Sequence, residues 1–239
     1  MHGKRTMPID TEGRIDRLLG RLSDRGLAST STTLYAEAVK TKLRQAWFSI
    51  ERLRQLAPQE DEIQDATTIP ETQRLLNVSG LVGFYCDSFW DSLRSALDIL
   101  AQLVNELNSL RISERDVDIR KVATKLKSTA LGSGMDKAMD ELLNSSAFIQ
   151  LEDYRNCTTH RRPPFIRTEI VTTSVSGTPG YAYSTSSTQQ RAIIKRDLCM
   201  NPWALTPRVC TDQRPVVTYN ENLLKRIREK IDTIVNRLP

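Results

Sequence analysis

Histidine is almost missing from this chain: of 239 residues only two are histidine, His2 in the N-terminal leader and His160. Any imidazole chemistry in the body of the protein therefore rests on His160 alone. Long apolar runs are missing as well. The greasiest stretch, "LDILAQLVNELNSL", is interrupted by Asp98, Asn105 and Glu106, and no window reaches 18 uncharged apolar residues, which argues against a membrane span. The leader "MHGKRTMPIDTEGRIDRLLG" carries early positive charge with no uninterrupted apolar run behind it, so it does not read as a secretory signal. The four cysteines, Cys86, Cys157, Cys199 and Cys210, show no paired short spacing and no disulfide framework, and a reducing compartment leaves them free. These absences lead to the expectation of a cytoplasmic protein with no membrane contact. Internal repeats are lacking too, as is low complexity beyond one Ser/Thr-rich loop tip.

What is present is an ordinary globular mixture, 39% hydrophobic and 26% charged, with Lys and Arg exceeding Asp and Glu by 34 to 29. The resulting charge of +5 leans toward a polyanionic partner without requiring one. From Thr30 to Ala57 the apolar positions Ala36, Val39, Leu43, Ala46, Ile50, Leu53 and Ala57 recur in steps of three and four, the mark of one helical stripe, and Pro58 ends it. After the acidic loop "PQEDEIQDATTIPETQ" a second stripe follows between about Gln73 and Leu110: Val82, Tyr85, Phe89, Leu93, Ala96, Leu100, Leu103, Leu107 and Leu110. Two such helices hide their apolar sides most economically by packing antiparallel. A shorter amphipathic piece, "ERDVDIRKVATKLK", precedes a break at Gly132 and Gly134. The stretch "MDKAMDELLNSSAFIQLEDYRNCTTHRR" then reads as helical throughout or as two helices split near Asn144, ending at Pro163 and Pro164. Beyond it "FIRTEIVTTSV", "YAYSTSS" and "RAIIKRDL" have strand character around the turn residues "SGTPG". The expected architecture is a mainly α, up-and-down helical bundle forming one domain over residues 1–239. A small β-hairpin or three-stranded insertion, with loops, occupies residues 163–218. A closing helix with Leu224, Ile227, Ile231, Ile234 and Leu238 rejoins the bundle.

The chemistry-bearing residues gather in "YRNCTTHRRPPF". On a helix Asn156 and His160, four apart, share a face, and Arg155 flanks them. An imidazole that moves a proton and a guanidinium that neutralises charge on a phosphate are useful parts for cutting RNA without a metal. The run Arg155-Asn156-Cys157-Thr158-Thr159-His160 resembles the R-x4-6-H signature, in its R-N-x3-H form, of the HEPN superfamily. That resemblance implies a bundle of helices that dimerises so that two motif copies face one cleft. It also implies metal-independent endoribonuclease activity of the kind found in toxin-antitoxin, phage-defence and CRISPR-associated systems. By the same resemblance Arg155 and His160 are the catalytic pair, and Asn156 is an orienting or phosphate-contacting group. Attack of a ribose 2′-hydroxyl on the adjacent phosphate leaves a cyclic phosphate and a 5′-hydroxyl. Acidic groups of an early helix approach the motif in such proteins, which nominates Asp91 and Asp98 as supports for Arg155, whereas Asp87 reads as solvated. Arg162 stands where some family toxins have a tyrosine two positions past the histidine, so that subgroup's marker is lacking.

Further features carry weaker readings. Arg161, Arg162, Arg167, Arg191, Lys195 and Arg196 bracket the strand segment and are candidates for tracking RNA phosphates. Tyr181 and Tyr183 alternate as base-stacking or hairpin-covering aromatics. Lys225, Arg226, Arg228 and Lys230 read as a solvated helix face, and Trp47, Phe89 and Trp90 as core or dimer-contact rings. Cys157 and His160 with Cys199 and Cys210 are zinc-ligand types, but their spacing fits no common knuckle, so no metal and no cofactor are expected. The partners expected are RNA, a second copy of the chain, and an antitoxin or other regulatory protein. The competing reading is a non-catalytic helical module that binds RNA or protein.

Overall fold

The computed structural model describes the backbone of residues 10–56, 63–64, 69–129, 134–160, 166–174, 190–199 and 213–239, and side chains within 10–56, 81–129, 134–155 and 216–239. The protein is mainly helical. The helices are α1 (Thr11–Asp24), α2 (Thr30–Leu56), α3 (Ile69–Leu107), α4 (Ile119–Thr129), α5 (Met135–Leu143), α6 (Ser146–His160) and α7 (Val216–Val235).

The three-four stripes read from the sequence are the core. Ala36, Val39, Leu43, Ala46, Ile50 and Leu53 of α2 are buried, and so are Val82, Phe89, Leu93, Ala96, Leu100 and Leu103 of α3. The two helices run antiparallel along their length: the Ser49 hydroxyl donates to Ser88 Oγ at 3.2 Å, and Lys42, earlier on α2, faces Asp91, later on α3. α3 begins four residues before its expected start and ends at Leu107. Leu110 still reaches the core, because its N–H bonds to the Asn105 carbonyl at 3.0 Å after a left-handed turn at Ser109. The third segment splits where two helices were one of the alternatives. α5 ends at Leu143, and the Ser145 hydroxyl accepts from the Phe148 N–H at 3.2 Å as a cap for α6. Ahead of α5, Gly134 has φ +68, a left-handed conformation that strains any other residue, and its carbonyl accepts from the Arg237 guanidinium.

Helix α7 contacts α1, α2, α3, α5 and α6 and so closes the bundle. Its stripe Leu224, Ile227, Ile231 and Ile234 is buried, with Leu238 just beyond it. Arg228 is not solvated as expected. It lies in the buried row between Leu224 and Asp232 and is 3% exposed, because α1, unforeseen in the leader, covers it. Burial lowers the Arg228 pKa against the pull of Glu12 and Asp232, and raises that of Asp232, which Arg14 of α1 meets at 3.1 Å. Arg226 is likewise engaged, donating to Ser146 Oγ at 3.1 Å and Gln150 Oε1 at 2.9 Å of α6.

Four strand segments form one sheet: β1 (Ile63–Gln64), β2 (Ile166–Ser174), β3 (Gln190–Cys199) and β4 (Gln213–Pro215). β3 pairs antiparallel with β2 on one side and with β1 and β4 on the other, in the register Ile170 opposite Ile194. β1 lies in the acidic stretch that reads as a loop, and its partner β3 supplies a ladder that local sequence does not reveal. Tyr181 and Tyr183, Arg161 and Arg162 fall outside the described residues.

Candidate active site

Helix α6 continues without interruption through His160, so Arg155, Asn156 and His160 stand on one helix, the last two a single turn apart. What fixes α6 on α3 is the residue just before the motif. Tyr154 is 3% exposed and lies flat on Trp90, with ring centroids 4.3 Å apart and an interplanar angle of 5°. Such a stack adds about 0.5–1.5 kcal/mol to the burial itself. The Tyr154 hydroxyl donates to the Asp87 carboxylate, so Asp87 is a structural acceptor rather than a merely solvated acid. Burial and this acceptor both raise the Tyr154 pKa, keeping the phenol neutral.

Arg155, one position on, is exposed. It lines a small cleft of about 360 Å³ with Trp90, Asp91, Arg94, Ser95, Leu151 and Tyr154. Two larger clefts adjoin this one. Asp91 and Ser95 continue into a groove of about 820 Å³ between α2 and α3, which runs to Phe48 and Phe84. On the other side Arg94 and Arg155 continue into a groove of about 730 Å³ bounded by α3, α4 and α6. Arg155 thus stands at the crossing of an open furrow along α3.

The two acidic candidates differ. Asp91 shares the small cleft with Arg155, and its pKa is raised by burial first, then by Asp87, against the opposing pull of Lys42. Asp98 shares the larger groove with Arg155 but binds Arg94, whose Nε donates to it at 3.1 Å. Arg94 stands among these acids in the sequence with no role assigned to it by the motif, and its i, i+4 relation to Asp98 on α3 is the signal of the pair. Its side chain is 12% exposed; it also pairs with Glu152 and lies over the Phe148 ring at 5.6 Å. Arg120 approaches Glu152 at 3.5 Å and the same ring at 5.4 Å. Arg94 is therefore a rivet between α3 and α6, paired with Asp98 on its own helix and with Glu152 on the other.

Cys86 is buried, with its thiol pushed up to about 12 by burial, so it packs rather than reacts. Phe89 and Trp90 are buried core rings, and Trp47 is half-buried beneath the Arg54 guanidinium at 5.0 Å. The side chains of Asn156, Cys157, His160, Arg167, Lys195, Arg196, Cys199 and Cys210 lie outside those described. No helix among the described residues is long and apolar enough to cross a membrane.

A family model described as Cthe2314-like HEPN matches residues 36–198, more than half of the chain, from α2 through β3 and across the whole motif. The chain belongs to the HEPN superfamily. No curated protein and no solved structure matches it. The superfamily includes ribonucleases, and the matched region contains the Arg155–His160 segment. The Trp90–Tyr154–Asp87 stack is the local device by which this member seats that segment. α1 and the whole sequence from α7 onward lie outside the match, yet both complete the core.

Proposed function

We propose that this chain is a metal-independent endoribonuclease of HEPN type acting on single-stranded or loop RNA. The observation that carries the reading is Arg155: the arginine of an R-N-x3-H motif stands exposed at the crossing of two grooves, beside Asp91 and Arg94. In this reading Arg155 neutralises the scissile phosphate while the ribose 2′-hydroxyl attacks. His160 moves the proton, as the general acid or base for the entering or leaving oxygen, and Asn156 orients the phosphate or the imidazole. Asp91 steadies Arg155 from α3. Asp98 acts one step further back, by holding Arg94. The products are a 2′,3′-cyclic phosphate and a 5′-hydroxyl, and no step calls on a metal or cofactor.

The active form is a homodimer. Phe48 and Phe84 are 52% and 64% exposed, and both line the groove that Asp91 and Ser95 share with the Arg155 cleft. A second copy covering those rings would bring two motif helices toward one channel. The strand-bearing segment after the motif is an insertion that shapes access to it, with Arg161, Arg162, Arg167, Lys195 and Arg196 as further phosphate contacts. A toxin or phage-defence role, with an antitoxin or regulator that silences the site, follows from this chemistry in the cytoplasm.

The test is RNA cleavage by the purified chain in the presence of chelator. Arg155→Ala and His160→Ala should each reduce cleavage at least a hundredfold while circular dichroism remains that of the wild type. If the wild-type chain leaves several kinds of RNA uncut and both variants behave as wild type in cells, the protein is instead a non-catalytic helical binding module.

A further inference from the structure

Helix α4 has an unusual charge distribution for its length. It runs Ile119–Thr129 as "IRKVATKLKST", with Arg120, Lys121, Lys125 and Lys127 and no carboxylate. Its apolar face, Ile119, Val122, Ala123 and Leu126, is buried, so the helix has one orientation available. That orientation turns Arg120, Lys121 and Lys125, together with Thr124 and Ser128, into the groove that Arg155 also lines. The connection from α3 holds α4 in this place. The Asn105 side-chain amide bonds the Ile112 backbone twice, donating to its carbonyl at 3.0 Å and accepting from its N–H at 3.1 Å. Ser109 and Arg111 turn the chain with φ of 49° and 58°, a conformation that non-glycine residues seldom adopt.

The charges in the groove divide into two groups. Asp98 and Glu152 are both tied to Arg94 between α3 and α6, and Arg94 and Glu152 are largely shielded. The α4 cations are outward. Lys121 reaches Asp116 and Asp118 only at 3.6 and 3.9 Å with its side chain 55% exposed. Arg120 touches Glu152 at 3.5 Å with its own side chain 60% exposed. No ion pair is seen for Lys125 among the described residues. Exposed pairs of this length contribute little and exchange readily for a phosphate. From Arg120 to Ser128 the row extends roughly 12 Å along the helix, in the groove that the proposed catalytic arginine also lines.

We infer that α4 is the docking rail for the RNA strand on one side of the cut, with Lys121 and Lys125 as its principal phosphate contacts and Arg120 a third. This inference rests on the ribonuclease reading but concerns residues that the motif does not contain. It fits a flexible single strand, which can follow a short row of cations beside the catalytic group, and it accounts for a cationic helix built next to Arg155.

The experiment measures binding of a short fluorescent 2′-O-methyl RNA, which lacks the attacking hydroxyl and stays intact, to the full chain over a salt series. For Lys121→Glu/Lys125→Glu the affinity should fall at least tenfold. For Lys121→Gln/Lys125→Gln, a milder pair that keeps the fold, the slope of log affinity against log salt should shrink by about 1.4, at 0.7 for each lost single-strand contact. Polyglutamate of matching charge should not displace the RNA; if it displaces it as well as RNA does, an acidic protein is the occupant and the inference is wrong. Wild-type binding with an unchanged slope in the glutamine pair refutes the rail and leaves the nuclease reading intact. A wild-type chain that neither binds this probe nor cleaves unmodified RNA refutes both.

Discussion

At the scale of single residues the site sets stability against use. Asp91 lies in the cleft beside Arg155, where burial and the neighbouring Asp87 raise its pKa despite Lys42. A raised folded-state pKa means that ionisation costs the folded protein more than the unfolded one, so its contribution to stability is full below the unfolded pKa and is lost as pH rises through the folded one. Asp91→Asn should therefore melt slightly higher than wild type near pH 7, with the difference fading toward pH values below about 3.9, while RNA cleavage falls. Thermal melts across pH together with cleavage rates check this. A variant that melts lower at neutral pH, or cleaves at the wild-type rate, would remove Asp91 from its supporting role. The motif could be nominated from spacing on the chain, since one helical turn links Asn156 to His160, and Asp91 through the resemblance that the motif carries. Glu152, Arg94 and the Tyr154–Trp90 stack could not, because they join α6 to α3 across some 60 residues through packing that no local pattern encodes.

At the scale of helices the apolar stripes were legible because burial imposes the three-four rhythm directly. The same rhythm in Thr11, Ile15, Leu18 and Leu22 was there to reveal α1, although it sits in a stretch dominated by charge. Arg228 misled because sequence alone does not tell an exposed cation from one roofed by another helix. Ladder pairing hid β1 for a related reason, as two residues acquire strand geometry only from a distant partner. The α2–α3 face is where helix-scale exposure becomes a prediction. Phe48→Glu/Phe84→Glu should turn the protein from dimer to monomer in light scattering and strip it of cleavage. The melting temperature of the subunit should change little, since exposed substitutions usually shift stability by within about 0.5 kcal/mol. An unchanged dimer, or a wild-type chain that is monomeric at micromolar concentration, contradicts the assignment of this face.

At the scale of the whole molecule, one hydrophobic core carries α1 to α7, and the open furrow along α3 gathers what is unusual about the surface. Exposed aromatic rings occupy one end, the cationic helix α4 the other, and the motif arginine the crossing. The family model spans this whole region. The central claim is that the furrow is built for in-line attack by a ribose hydroxyl, and the direct measurement is the chemistry of the cut ends. Single-stranded RNA incubated with the purified chain in chelator should yield fragments bearing 2′,3′-cyclic phosphates and 5′-hydroxyls, with none formed by His160→Ala. Fragments carrying 5′-phosphates, or intact RNA with the folded wild-type dimer, would contradict the account.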